Sequence, residues 1–231
     1  MSVTIHPRGI NHLAIATRDI KTQIEFFTDV LGCKLNALFW MYNVPDAYHC
    51  FLELSPTSFV SFVQHPDNPD KVELGLTHSG FPGGTVAAGV AQHIAFDLDS
   101  IENLHAMRDR IRSRGVWVMG PLDHGTCESI YFAGPENLTL EITAGQPFDP
   151  EFWIDPEVVE RAGIDKEELG RFLDPSEYVS PDGIKGSVPQ PALDLDKPHM
   201  EFPDDGIYRL SDEQVRELLS HTETPVKPNL S

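Results

Sequence analysis

Three residues of this 231-residue chain have the types and the placement to hold a divalent metal ion: His12, His93 and Glu141. His12 stands in the run INHLAIAT, where strand alternation puts His12, Ala14 and Ala16 on one face and Leu13 and Ile15 on the other. His93 stands in QHIAFDL, with Ala95 and Asp97 on its own face and Ile94, Phe96 and Leu98 opposite. Glu141 interrupts the apolar run Leu138 to Ile142, where an unpartnered carboxylate would cost several kcal/mol. Two neutral imidazoles and one carboxylate leave open positions on Fe(II), Mn or Zn, as oxygen or a chelating substrate requires. Taken singly, each histidine also reads as a hydrogen-bonded structural residue. What favours metal is that the two stand at repeat-related positions.

The repeat defines the elements that must carry these residues. Residues 10–35, INHLAIATRDIKTQIEFFTDVLGCKL, align with residues 91–116, AQHIAFDLDSIENLHAMRDRIRSRGV, and the two histidines are 81 residues apart. Each segment opens with a strand-like run holding His at its third position. A polar start follows, Asp19 or Ser100, and then apolar residues at helical spacing: Ile20, Ile24, Phe27, Val30 and Leu31 in one, Ile101, Leu104, Met107 and Ile111 in the other. Each helix is predicted to close on a glycine, Gly32 or Gly115. Three strand-like runs follow in each half: CKLNALFWMY, HCFLEL and SFVSFVQ, then VWVMG, SIYFAG and LTLEIT. The reading is α+β, two βαβββ modules at about 8–66 and 89–145 within a domain of residues 1–147, packed as a pseudo-symmetric pair with a cleft between curved sheets. Between the modules, residues 65–90 have the Pro and Gly content of a long loop that can act as a lid.

Residues 148–231 are predicted to form an irregular, partly helical, acidic and Pro-rich extension, with short helices at 155–163, 165–173 and 211–220. Over residues 151–231 there are 19 acidic and 8 basic side chains and nine of the 19 prolines. The whole chain has 17 Lys and Arg against 36 Asp and Glu, a net charge of −19 that disfavours nucleic acid and anionic membranes. No apolar run approaches the roughly 20 residues needed to span a bilayer, and the first nine residues lack a signal-peptide core, so a cytoplasmic location is expected. Cys33, Cys50 and Cys127 are odd in number and widely spaced, which reads as free thiols.

The segments GINHLAIATRD, QHIAFDL and YFAGPENLTLEI resemble the glyoxalase, bleomycin-resistance and extradiol-dioxygenase families of the vicinal oxygen chelate superfamily, over about residues 8–145. The resemblance implies one divalent ion on His12, His93 and Glu141, with Fe(II) favoured over Mn, Zn or Ni. Within the superfamily, DHGTCESIYFAGPENLTLE resembles the extradiol ring-cleavage signature at His124, Tyr131, Pro135 and Glu141, and departs from it at Gly134 and Asn137. That implies a dioxygenase using O2 on a catechol-like aromatic diol, with His124 and Tyr131 as catalytic donors to substrate or oxygen. A glyoxalase- or epimerase-like lyase or isomerase is the alternative, and a metal-free ligand-sequestering protein a second.

Aligning the last strands of the two modules puts Phe62, which cannot bind metal, at the place where isomerase relatives carry a fourth ligand, with Gln64 two residues on. The acid/base histidine of ring-cleaving relatives falls at Thr57 and Ser58. His49, His65 and His124 are then the candidates for a proton carrier. Trp40, Met41 and Phe81 are candidates for the wall of an aromatic pocket. A homo-oligomer is compatible with the free sheet edges of such modules.

Overall fold

A computed structural model describes residues 5–179, 181 and 186–227. One compact unit comprises Gly9–Met41 and Asp46–Asp165 and holds both halves of the repeat. In the first half, β1 (His12–Thr17) leads into α1 (Ile20–Glu25), which continues as a π-helical segment over Phe26–Leu31. Then come β2 (Lys34–Trp40), β3 (Tyr48–Ser55) and β4 (Ser58–Gln64). The second half repeats the order with β5 (Ile94–Asp97), α2 (Ile101–Ser113), β6 (Val118–Asp123), β7 (Cys127–Ala133) and β8 (Thr139–Gly145). The sheets are β1-β4-β3-β2 and β5-β8-β7-β6, with the first strand of each module parallel to the last and at the sheet edge. This is the α+β fold of paired βαβββ modules.

The predicted helix boundaries have visible causes. Asp19 Oδ1 accepts the Thr22 N–H at 3.0 Å and Ser100 Oγ accepts the Asn103 N–H at 3.2 Å, so both helices start on side-chain caps. Both stop on glycines in left-handed geometry, Gly32 at φ 85° and Gly115 at φ 79°. The π-helical end of the first helix was not legible in the sequence. Arg110 of α2 satisfies its carbonyls, donating to Val30 O at 2.7 Å and Asp29 O at 2.9 Å, which ties one module's helix to the other's.

The helix-side faces of both sheets share one core. Phe27, Leu52, Val60, Phe62, Leu104, Ile111, Ile130 and Leu140 are fully buried in it, each contributing about 1.5–3 kcal/mol through its side chain. Phe27 packs edge-on against Phe62 at 5.1 Å and Phe96 at 6.1 Å between ring centres, so the core runs across both modules. Glu136 adds a polar latch. It stands in the turn between β7 and β8 and accepts from Thr17 Oγ1 at 2.7 Å, the Arg18 N–H at 2.7 Å and Gln23 Nε2 at 2.8 Å.

Two short helices follow β8 in this unit, α3 (Pro150–Trp153) and α4 (Pro156–Arg161), each capped at its start by an aspartate. A second unit is formed by the described parts of Met1–Arg8, Tyr42–Pro45 and Lys166–Ser231. It contains α5 (Lys166–Leu173), a 3₁₀ turn over Asp205–Arg209 and α6 (Asp212–Leu219). The helix expected at 211–220 starts on a full capping box, with Ser211 Oγ accepting the Gln214 N–H and Gln214 Oε1 accepting the Ser211 N–H. Tyr42 stacks on His221 with ring centres 3.8 Å apart. Among the described residues no helix is long and apolar enough to cross a membrane.

Candidate functional site

The ladders decide which side chains face away from the helices. In the first module His12 pairs with Phe59, Ala14 with Ser61 and Ala16 with Val63, and these in turn face Glu53, Phe51 and His49 on β3. In the second, Ala95 pairs with Glu141, which faces Tyr131 on β7. Ala14 and Ala95 hold equivalent places after the two histidines, so Ser61, and not Phe62, is the first-module counterpart of Glu141. This corrects the sequence alignment by one residue. Phe62 lies in the core, and Gln64 shares its face and accepts the Ile20 N–H at 2.9 Å to cap α1. The symmetry extends to the third strands: Phe51 touches His12 edge-on at 5.3 Å as Tyr131 touches His93 at 6.3 Å.

His93 and Glu141 are brought together, with Nε2 and Oε2 2.9 Å apart and Glu141 only 7% exposed. His93 stands one residue ahead of the β5 ladder rather than inside the strand. Its neighbour Gln92 fixes which ring nitrogen carries the proton. The Gln92 amide nitrogen donates to Pro82 O at 2.6 Å and Gly84 O at 3.0 Å, and carbonyls can only accept. The amide oxygen is therefore the atom that meets His93 Nδ1, so Nδ1 is the donor and Nε2 is the nitrogen turned toward the carboxylate. A nitrogen and a carboxylate oxygen at that distance are held together by a shared proton or by a metal ion between them.

That donor set fits a divalent ion, and the same pattern recurs at His12, whose Nδ1 meets Asn11 Oδ1 at 2.9 Å, leaving Nε2 for a ligand. His12 itself stays with its own sheet. Among the described residues no three His, Cys, Asp or Glu side chains converge on one point. β1 and β5 are unpaired edges of separate sheets, and a cavity of about 390 Å³ is lined by both, from Ala14 and Ala16 to His93 and Leu138.

Tyr131 and His124 are also brought together, the hydroxyl lying 3.0 Å from His124 Nε2. Burial and then the charge of Glu141 push the Tyr131 phenol above its ordinary range, so it stays a neutral hydrogen-bond donor. Gly125, beside His124, has Trp153 of α3 packed over it.

Of the other histidines singled out, His65 is occupied in a turn, accepting the Asp67 N–H at 3.0 Å. His49 lies on the His12 face of its sheet amid Phe39, at 4.3 Å between ring centres, and Phe51, at 5.0 Å, and its Nε2 is buried without a partner. Burial, with a smaller push from His12, holds its pKa below the usual imidazole range. Ser61 Oγ is likewise buried and unpartnered. Phe39 lies on the His12 face of its sheet, beside His49 and Phe51, whereas Trp40 pairs with Tyr48 on the opposite face. Sequence alternation separated these faces in principle, but the bulge between Leu35 and Ala37 obscured it on β2.

Comparison with known proteins agrees with this architecture. Biphenyl-2,3-diol 1,2-dioxygenase 3 of Rhodococcus globerulus is 24% identical over 150 residues, which span 64% of this chain and 69% of that one. A glyoxylase/bleomycin resistance protein/dioxygenase domain from Frankia sp. EAN1pec superposes with a TM-score of 0.50 at 14% identity, covering 61% of this chain and 100% of that one. The fosfomycin resistance protein FosX of Listeria monocytogenes, solved with Mn(II) and sulfate, superposes with a TM-score of 0.41 at 18% identity, over 61% and 95% of the two chains. Residues 9–150 match the family described as the Glyoxalase/Bleomycin resistance protein/Dioxygenase superfamily, and the chain belongs to that family.

Proposed function

We propose that this protein is a metal-dependent dioxygenase that opens the ring of a catechol-like aromatic diol beside its two hydroxyls. The observation that carries the reading is the approach of His93 Nε2 to the buried Glu141 carboxylate, with Gln92 holding Nδ1 on the other side of the ring. In this proposal His12, His93 and Glu141 hold one divalent ion, Fe(II) by preference. When bound, that ion supplies Lewis acidity for the diol and electrons for O2. The serine at the place equivalent to Glu141 supports a three-residue set over the four-residue set of an isomerase, and the biphenyl-2,3-diol relative supports an aromatic diol.

The chain's own groups then have separate tasks. Tyr131, kept protonated and held by His124, donates a hydrogen bond at the edge of the carboxylate strand. Phe39, Phe51 and Phe59 give the cleft side of the first module an apolar, water-excluding wall. His49, the one proton-carrier candidate with a buried, unpartnered nitrogen on that wall, accepts a proton from the substrate hydroxyl at Nε2.

The test is metal content of protein purified without oxygen, followed by oxygen uptake with catechol and biphenyl-2,3-diol. Near-stoichiometric iron with diol-dependent uptake is the expected result. Zinc, manganese or nickel without uptake would replace this reading with a lyase or isomerase, and protein that takes up no metal would leave ligand sequestration.

A further inference from the structure

Gln92 makes hydrogen bonds with both ends of its side chain, and the two ends serve different parts of the molecule. Its oxygen receives the Nδ1 proton of His93. Its nitrogen is gripped by the connector between the modules, through Pro82 O at 2.6 Å, Gly84 O at 3.0 Å and, more weakly, Phe81 O at 3.4 Å. The backbone of the same residue is held as well, since Gln92 O accepts from Ser79 Oγ at 2.6 Å, and Ser79 also bonds Thr139 of β8 at 3.0 Å. The connector turn that supplies these carbonyls is compact: the Gly84 N–H bonds Phe81 O at 2.9 Å, and a Cβ on Gly84 would lie 2.0 Å from Ser79 O. Asn11, the first-module counterpart, makes the contact to its histidine, but its side chain has no hydrogen bond to the connector.

We propose that Gln92 is a positioning residue that couples the order of the connector turn Phe81–Gly84 to occupation of His93 by a metal ion. This rests on the metal-site reading above. A single rigid amide cannot rotate to release one partner without turning the wrong atom on the other. If the turn opens, the amide is freed and His93 loses the acceptor that keeps Nε2 toward Glu141. If an ion holds His93 Nε2, the ring and hence the amide are pinned, and the turn is pinned with them. The coupling is reciprocal, as any binding linkage must be. The long connector thereby reports on the metal site without contributing a ligand to it.

The experiment compares wild type, Gln92→Leu and Gln92→Glu as full-length metal-free proteins, titrated with Zn(II) and followed by amide hydrogen exchange over residues 79–86. In wild type, Zn(II) slows exchange in that segment. Gln92→Leu loses both ends of the link: Zn(II) binding weakens by about 10- to 100-fold and the segment exchanges faster even without metal. Gln92→Glu keeps an acceptor for Nδ1 but loses the donor, so Zn(II) binds close to wild-type affinity while the segment no longer slows. Wild-type affinity in Gln92→Leu, or unchanged slowing in Gln92→Glu, overturns the coupling alone. A wild-type protein that binds no Zn(II) overturns the metal-site reading and the coupling with it.

Discussion

At the scale of single residues, the candidate site divides into groups that would hold an ion and groups that would act on what it binds. Replacing His93 or Glu141 by Ala is expected to abolish stoichiometric metal binding, measured by elemental analysis, with little change in circular dichroism. His124→Ala and Tyr131→Phe are expected to retain metal and to lower turnover on the order of 100-fold, the range of a positioned proton donor. A metal-free His124→Ala would make His124 a ligand instead. His49 carries a separate pH signature. Its pKa is lowered in the folded chain, so the unfolded chain binds the extra proton first as pH falls through the ordinary imidazole range. Its contribution to stability is full above that range and declines as pH drops through it. Urea denaturation at pH 7.5 and 5.5 should therefore show a smaller acid loss for His49→Phe than for wild type. Cys33 gives a chemical check on packing: burial pushes its thiol up to about 11, against the opposing charge of Arg110, and iodoacetamide at pH 8 should label it slowly.

At the scale of elements, much of the architecture was legible in the sequence because caps and periodicity are local. Asp19, Ser100, Gly32, Gly115 and the Ser211 box each act within a few residues, so pattern alone located them. The ladder register was not legible to one residue. The turn before β4 and the turn before β8 differ in length, and the offset between the modules' last strands could not be read without the cross-strand pairs that put Ser61 opposite Ala14. Gln92 was also missed, since its role depends on carbonyls of a loop with no periodicity. The departure from the ring-cleavage signature at Asn137 has a local explanation: φ there is 59°, left-handed geometry that glycine and asparagine both tolerate. Glu136 beside it is also left-handed, at φ 55°, and its three hydrogen bonds hold the first module. Glu136→Ala is expected to cost about 2–3 kcal/mol in chemical denaturation, because it strands buried donors while keeping the strained backbone. Glu136→Gly, which relieves that backbone, should cost less.

At the scale of the whole molecule, the charge of −19 acts everywhere at once. Self-repulsion of that size should make the melting temperature rise between 10 mM and 200 mM NaCl, a range over which the Debye length shrinks from about 30 Å to below 10 Å. A flat response would mean that the acidic groups are compensated locally. The duplicated architecture has a longer-range meaning. Glu141 and Tyr131 in one copy stand where Ser61 and Phe51 stand in the other, on the same ladder positions of the same fold. In the proposed site one copy would supply the carboxylate and the phenol, while its twin would supply His12 and His49 on a sheet otherwise free of that demand. Selection acting on such a pair is expected to hold β7, β8, His12 and His49 still and to let Phe39, Phe51 and Phe59 drift with whatever compound the cell must handle, so that new chemical appetites arise on the apolar face of the first half.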